Sequence, residues 1–284
     1  MKHIFLLFFT LIFAMPAAAD MKIVASYPPI QSLVWSITDG ITPVNVMFNR
    51  PVSGHHNVTL RPSELKILKG ADIIFYASDE LETFMSEAVK KAAPNALVIS
   101  LADKTANLKI NPSQITPTES DLHFWLNPDN AVLMLAAIRD TMIQKDPKNT
   151  QKYTDNYQNA KNHFDSLKKL KGNIKNKKII ALHDGFSYMN DYFDLDIKTL
   201  PFDVEAITSP KAIMDFKSLI NKEKADCIII EPDLNRRQIN VLGLPKDSLI
   251  KMDAFGWNIK NGVGQYYKMM RWNMRALDRC GKEK

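Results

Sequence analysis

The chain alternates short apolar runs with helix-like segments, and it does so twice. The predicted strands are Met21–Ser26, Pro43–Phe48, Asp72–Tyr76, Leu97–Ser100, Lys178–Leu182, Ile197–Leu200, Cys227–Ile230 and Leu249–Met252. Segments with helical spacing lie between most of them, as between Leu81 and Ala92. This alternation is typical of parallel strands joined by crossover helices. The sequence therefore predicts an α/β fold with two mostly parallel sheets, each flanked by helices.

A long polar helix, predicted at residues 150–173, separates the two α/β units. Its narrow apolar stripe consists of Tyr153, Tyr157, Ala160, Phe164, Leu167 and Leu170. At ~1.5 Å per residue, a helix of this length exceeds roughly 30 Å and is long enough to bridge two lobes. The predicted organisation is a first lobe at residues 20–146, an interlobe linker helix at 147–174 and a second lobe at 175–284.

Residues 1–19 have the pattern of a cleaved secretory signal peptide. Lys2 gives a basic start, Ile4 to Met15 is almost wholly apolar, and small residues precede a predicted cleavage after Ala19. The apolar run is shorter than the ~20 residues that a membrane-spanning helix needs. We therefore expect an exported, soluble protein.

Composition argues against a nucleic-acid-binding function. The formal net charge is +6, and it falls by one when Lys2 is removed with the signal peptide. The lysine clusters at residues 168–171 and 175–178 contain no interleaved aromatic residues and are typical of a solvated helix end and loop. We expect no nucleic-acid partner.

The chain has two cysteines, Cys227 and Cys280. They are either two unrelated buried thiols or a disulfide, which an oxidising compartment permits. Neither lies near a plausible catalytic partner in the sequence. We favour a disulfide that ties the last predicted helix to a late strand.

Three histidines follow predicted strands or lie in loops. His56 follows the second strand, His123 lies among aromatic residues, and His183 directly follows the fifth strand. The plainer interpretation is a polar surface loop for His56 and a hydrogen-bonded core residue for His123. The alternative is metal binding, because open α/β sheets gather ligands at the carboxyl ends of their strands.

The three imidazoles together favour Zn²⁺, which binds histidine nitrogen with tetrahedral geometry. Two would come from the first lobe and one from the second, so closing the lobes would complete the site. Candidates for the fourth ligand are His55, Asp253 and Glu231, or water. Asp184 and Asn57 lie beside candidate ligands and are predicted to orient them.

Several motifs resemble one family. They are His56 with Leu60-Arg61-Pro62-Ser63, His123 in His-Phe-Trp-Leu-Asn-Pro, His183-Asp184 after an apolar strand, and the acidic residues Glu231 and Asp253. The chain resembles the periplasmic zinc-binding proteins of high-affinity zinc-uptake ABC transporters. The resemblance implies two α/β lobes joined by a long rigid helix, with metal in the cleft between them. It also implies a periplasmic protein, here expected to be a monomer, that delivers Zn²⁺ to a membrane permease.

The resemblance also bears on the metal. Zinc-binding members of this class are similar to this chain in having histidine at the position of His183, whereas manganese-binding relatives tend to have glutamate. Cys227 and Cys280 resemble a disulfide of some zinc members. Many zinc members carry a histidine-rich loop before the second motif, but residues 103–120 contain no histidine.

Three alternatives remain at this point. The first is a manganese- or iron-binding protein of the same family, although manganese prefers sites richer in oxygen. The second is a zinc-dependent hydrolase, since three histidines and a water also form a catalytic zinc site. The third is a structural zinc. We predict a non-enzymatic protein with no catalytic residues, because the sequence has no His-Glu-x-x-His pair and because the resemblance over the whole chain implies transport.

Overall fold

The computed structural model describes residues 21–51, 58–170, 174, 177–200, 209–232, 234 and 236–280. The predicted signal peptide and its cleavage site after Ala19 lie outside these residues. So do His55, His56 and Asn57. No described helix is both long enough and apolar enough to cross a membrane.

The first sheet contains four parallel strands in the order β2-β1-β3-β4. These strands are β1 (Ile23–Ala25), β2 (Val44–Val46), β3 (Ile73–Tyr76) and β4 (Leu97–Ser100). The helices of this part of the chain are α1 (Pro28–Thr38), α2 (Pro62–Leu68), α3 (Met85–Ala92), α4 (Leu101–Lys104) and α5 (Pro128–Lys145). β1 and β3 are buried along their whole length, which explains why the sequence shows unbroken apolar runs there.

The second sheet repeats this topology with the order β6-β5-β7-β8, again all parallel. Its strands are β5 (Ile179–Ala181), β6 (Ile197–Thr199), β7 (Cys227–Ile230) and β8 (Leu249–Lys251). The remaining helices are α6 (Thr150–Asp165), α7 (Ser187–Phe193), α8 (Pro210–Glu223), α9 (Arg236–Leu242) and α10 (Gln265–Leu277). The predicted fold class is confirmed: two parallel sheets, each flanked by helices.

The helix between the sheets differs in length from the prediction. Its α-helical part, α6, has 16 residues, and a 3-10 helix continues from Ser166 to Leu170. The α-helical part is therefore ~24 Å long instead of the expected 30 Å. The Ser166 hydroxyl donates to the His163 carbonyl at 2.6 Å, a local hydrogen bond that competes with the regular helical pattern. The predicted lobe boundaries remain predictions.

A single apolar core runs through both halves of the chain. It includes the central strands of the first sheet, the inner residues of α6 and α10, and parts of β5 and β7. A smaller second core covers the other face of the second sheet, around Phe216 and Ile228. The two lobes are therefore packed against each other over a continuous apolar surface.

Helix α10 connects the two sheets directly. It packs against α1, where the Ser32 hydroxyl accepts the backbone N–H of Tyr266 at 3.0 Å. Its far end is tied to β7 by a disulfide between Cys227 and Cys280, whose Cα atoms are 5.6 Å apart. The predicted pairing of the two cysteines is thus present in the structure.

Candidate metal centre

His123 lies in the turn that precedes a 3-10 helix at Phe124–Leu126. Its ring is 2% exposed and is packed among the rings of Trp125, Phe255 and His183. The His183 ring is perpendicular to it, with the ring centroids 4.7 Å apart. Two of the three histidines predicted as ligands are therefore neighbours at the junction of the two lobes.

Asp121 holds the His123 ring in place. One carboxylate oxygen, Oδ1, lies 3.0 Å from the backbone N–H and 3.0 Å from Nδ1 of His123. The other oxygen accepts the Ser187 hydroxyl at 2.6 Å. A carboxylate at Nδ1 favours the tautomer with its proton on that nitrogen, so the neutral ring carries its lone pair on Nε2. For His123, the candidate metal-binding nitrogen is therefore Nε2.

His183 follows β5 by two residues and is oriented in the same way by a different carboxylate. Its Nδ1 contacts Glu231 Oε2, while the other oxygen of Glu231 accepts the backbone N–H of Ala254 at 3.0 Å. Glu231 itself directly follows β7. Its contact with the Nδ1 atom of His183 favours an orienting role over the predicted alternative of a fourth ligand.

Asp253 lies after β8 and is 1% exposed. Its oxygen Oδ1 accepts the backbone N–H groups of Phe255 and Gly256, at 3.0 and 2.7 Å. Burial raises the pKa of Asp253 to about 6, and the nearby Glu231 carboxylate acts in the same direction, while the backbone hydrogen bonds oppose the shift. The carboxyl is still mostly ionised at pH 7 and remains a candidate for the fourth ligand.

Helix α10 holds the loop that carries Asp253. The Asn273 side chain donates to the Asp253 carbonyl and accepts its backbone N–H, at 3.0 and 2.9 Å. Gln265 donates to the carbonyls of Phe255 and Gly256. Both α10 side chains are fully buried, so the loop has a fixed position relative to the helix.

The segment before the predicted first ligand lies close to the same site. Phe48 continues from β2, and its ring stacks on Tyr27 with centroids 5.0 Å apart. The Tyr27 ring in turn packs against the Phe255 ring, with the ring centroids 4.9 Å apart. One residue further on, Asn49 accepts a hydrogen bond from the Asn261 side chain at 2.7 Å. The chain that leads to His55 and His56 therefore reaches the second lobe before it leaves the described residues.

The structure brings together His123, His183, Glu231 and Asp253, whereas His55 and His56 lie outside the described residues. Among the described residues, no group of three or more histidine, cysteine or acidic side chains is arranged to hold a metal ion. The predicted ligand set therefore stays a prediction. Asp184, predicted to orient a ligand, directs its carboxylate to residues 113–115 instead.

Sequence reasoning missed Asp121, Asn273 and Gly185 as contributors to the site. The Asp-x-His spacing of Asp121 and His123 was a usable signal, because a short acidic side chain two residues before a histidine can reach its ring. Asn273 gave no such signal, since its partner is 20 residues away in the sequence.

Gly185 allows the His183 turn to lie directly against the His123 ring. A Cβ added at Gly185 would lie 3.0 Å from Nδ1 and 3.1 Å from Cγ of His123. The ring cannot retreat freely, because Trp125 and Phe255 pack around it. We therefore expect Gly185→Ala to weaken Zn²⁺ binding by roughly 10-fold, the usual effect of disturbing the support of a metal ligand.

Competition with a chelator would measure the change in affinity caused by Gly185→Ala, with the unfolding temperature of the metal-free variant as the control for folding. An unchanged affinity in a folded variant would show that the contact between the turn and the ring does not matter for metal binding.

The fold, two parallel sheets each flanked by helices, is that of the two-lobed solute-binding proteins. More closely, the chain belongs to the family described as zinc-uptake complex component A, periplasmic, which it matches over residues 23–280. Members of this family are non-enzymatic transport components that work with an ABC-transporter permease and ATPase. The predicted family resemblance is confirmed.

Individual relatives are distant but cover most of the chain. The high-affinity zinc uptake system protein ZnuA of Brucella abortus (strain 2308) is 22% identical, with 91% of each chain covered. The iron ABC transporter substrate-binding lipoprotein MtsA of Streptococcus pyogenes serotype M1 is 25% identical over 78% of this chain and 76% of its own. Among solved structures, a Zn(II)-bound variant of AdcAII from Streptococcus pneumoniae superposes with a TM-score of 0.72 at 20% identity, covering 92% of this chain and 99% of the other.

Proposed function

We propose that this protein captures Zn²⁺ between its two lobes and delivers it to the permease of an ABC transporter. The observation that carries the proposal is the pair of adjacent histidine rings, each with a carboxylate at Nδ1. A carboxylate at Nδ1 favours the tautomer with its lone pair on Nε2, and carboxylate–histidine pairs of this kind support metal ligands in proteins. In the proposed site, His56 supplies a third nitrogen and Asp253 supplies an oxygen.

Zinc suits this donor set better than the other metals carried by related proteins. Three imidazoles and one carboxylate form a mostly nitrogen site, which suits Zn²⁺, whereas Mn²⁺ prefers sites dominated by oxygen. A relative named as an iron transporter component is a reason to keep iron as an alternative cargo, and manganese stays the other alternative from the sequence analysis. Membership of a transport family gives no support to the zinc-hydrolase alternative.

The remaining parts of the proposal concern the location and state of the protein. We propose that residues 1–19 direct export, that cleavage follows Ala19, and that the mature protein works in the periplasm as a monomer. The homologues named ZnuA and the family description support a periplasmic location. The pattern of residues 1–19 supports the export signal.

Calorimetric titration of the chelator-stripped protein with Zn²⁺ and then with Mn²⁺ tests the proposed cargo. We expect one Zn²⁺ per chain and an affinity for Mn²⁺ that is at least roughly 100-fold weaker, because the nitrogen donors favour the later metal in the Irving–Williams order. Titration with Fe²⁺ under anaerobic conditions completes the comparison. Tighter binding of Mn²⁺ or Fe²⁺ than of Zn²⁺ would replace zinc as the proposed cargo, and binding of none of the three would overturn the proposed site.

A further inference from the structure

Residues 109–116 form an extended segment of the first lobe that lies across the second lobe; we call this segment the strap. It begins at Lys109, whose backbone N–H and carbonyl are both hydrogen-bonded by the Asn130 side chain on α5. It folds back on itself through a bridge between Pro112 and Ser120. The strap is therefore anchored in the first lobe at Lys109, and its middle is paired with the chain that returns towards Asp121.

The strap makes its interlobe hydrogen bonds with residues on either side of the candidate metal centre. The side-chain amide of Gln114 makes two hydrogen bonds to the edge strand β6. Its NH₂ group donates to the Ile197 carbonyl, and its oxygen accepts the Thr199 N–H. The Asn111 N–H donates to the Tyr188 hydroxyl at 2.9 Å. The strap thus covers the exposed edge of the second sheet with polar contacts.

Two of the strap's contacts reach the supports of the two histidines. The Asn111 carbonyl accepts the backbone N–H of Asp121 at 2.9 Å, and Asp121 holds His123. On the other side, Asp184, which directly follows His183, directs Oδ2 at the strap. That oxygen accepts the Ser113 hydroxyl at 2.6 Å and the Gln114 N–H at 2.8 Å, with the Ile115 N–H at 3.4 Å.

We propose that the strap positions His123 and His183 relative to each other, with Asp184 as the residue that fixes the His183 turn. The inference rests on the proposed metal-binding function of these histidines. The His183 turn is held from two directions: Gly185 lies against the His123 ring, and Asp184 is held by three donors of the strap. Movement of the strap would therefore separate the two rings, whose centroids are 4.7 Å apart.

Only one oxygen of Asp184 accepts the hydrogen bonds from the strap. Two substitutions can therefore separate the role of this acceptor from the role of the negative charge. Asp184→Asn keeps one oxygen that can accept the same three donors, but it removes the negative charge. Asp184→Leu has nearly the same shape and keeps neither the acceptor nor the charge. A positioning role predicts that asparagine is tolerated and leucine is not, whereas a purely electrostatic role of the charge predicts that both fail.

We expect Asp184→Leu to weaken Zn²⁺ binding by roughly 10-fold, mainly through faster release, and Asp184→Asn to remain close to the wild type. Affinity is measured by chelator competition, and release is measured by rapid transfer of Zn²⁺ to a fluorescent chelator. The absorption spectrum of bound Co²⁺ reports whether the ligand geometry has changed. Ser113→Ala removes one donor to Asp184 together with the hydroxyl oxygen that accepts the backbone N–H groups of Ile115 and Thr116 within the strap. It serves as a second variant, expected to weaken binding several-fold, in case the leucine variant does not fold.

Lys109→Met is the matched control within the strap. The substitution breaks an exposed ion pair between Lys109, at the start of the strap, and Asp191. This pair is distant from the contacts of Asp184, and exposed ion pairs contribute little to stability. Wild-type affinity and release in both Asp184→Leu and Ser113→Ala would overturn the role of the strap while leaving zinc binding itself intact. Equal losses in Asp184→Asn and Asp184→Leu would overturn positioning in favour of charge. A wild-type protein that binds no zinc would overturn both the strap inference and the proposed function.

Discussion

Replacing His183 by alanine is expected to weaken Zn²⁺ binding by more than about 100-fold. Loss of a residue that only supports a metal ligand reduces affinity by roughly 10- to 100-fold, and loss of the ligand itself should exceed this range. The same result is expected for His123→Ala, because the centroid of its ring lies 4.7 Å from that of His183. For His56→Ala the expectation rests on the sequence motif. Chelator competition on the metal-stripped variants measures each effect.

His163→Ala is the matched control for these substitutions. His163 is an exposed histidine on α6 whose nearest aromatic neighbour is Tyr267, at 5.9 Å between ring centroids. Replacing His163 lowers the number of histidines by one but leaves the candidate site unchanged, so we expect the Zn²⁺ affinity of the wild type. Wild-type affinity in His123→Ala or His183→Ala would remove that residue from the site, and a large loss in His163→Ala would mean that zinc is bound elsewhere.

Removing the disulfide is expected to lower the free energy of unfolding by about 4 kcal/mol. The two cysteines are 53 residues apart, and the chain-entropy relation gives about 4 kcal/mol for a loop of that length. Cys227→Ala together with Cys280→Ala is the suitable variant, since both positions are buried and a serine hydroxyl would need a partner there. Reversible urea unfolding of the metal-stripped protein measures the difference.

Metal must be absent from both samples, because bound Zn²⁺ would stabilise the folded state and mask the effect of the disulfide. A second control is the wild-type protein with its cysteines reduced, which should match the double variant. A loss below about 1 kcal/mol in both would show that contacts of α10 with α1 and Trp125 hold the helix without the disulfide.

The sequence predicted the sheets well because their central strands are buried on both faces. Such strands need continuous apolar residues, and runs like that of Cys227–Ile230 are visible without any partner. Helices α4, α7 and α9 are absent from the prediction. In α7 the spacing of Tyr188, Met189, Tyr192 and Phe193 carries a helical signal.

The candidate site was predicted only in part, for a physical reason. A candidate ligand such as His183 closely follows a predicted strand in the sequence. The local sequence pattern therefore places it at the carboxyl edge of a sheet. The residues that support it are distant in the sequence. Glu231 is 48 residues from His183, and Ser113 of the strap is 70 residues from His183. Residues 103–120 have no periodicity, so they were predicted as a loop, and nothing in a single sequence indicates where a loop's polar groups find their partners.

The continuous core through both halves couples the stability of one lobe to that of the other. Residues as distant in sequence as Ile23 and Cys280 belong to the same apolar cluster, so neither half can bury its inner surface without the other. A destabilising substitution in the first sheet should then reduce the fraction of molecules able to hold a metal, without changing the affinity of those that remain folded.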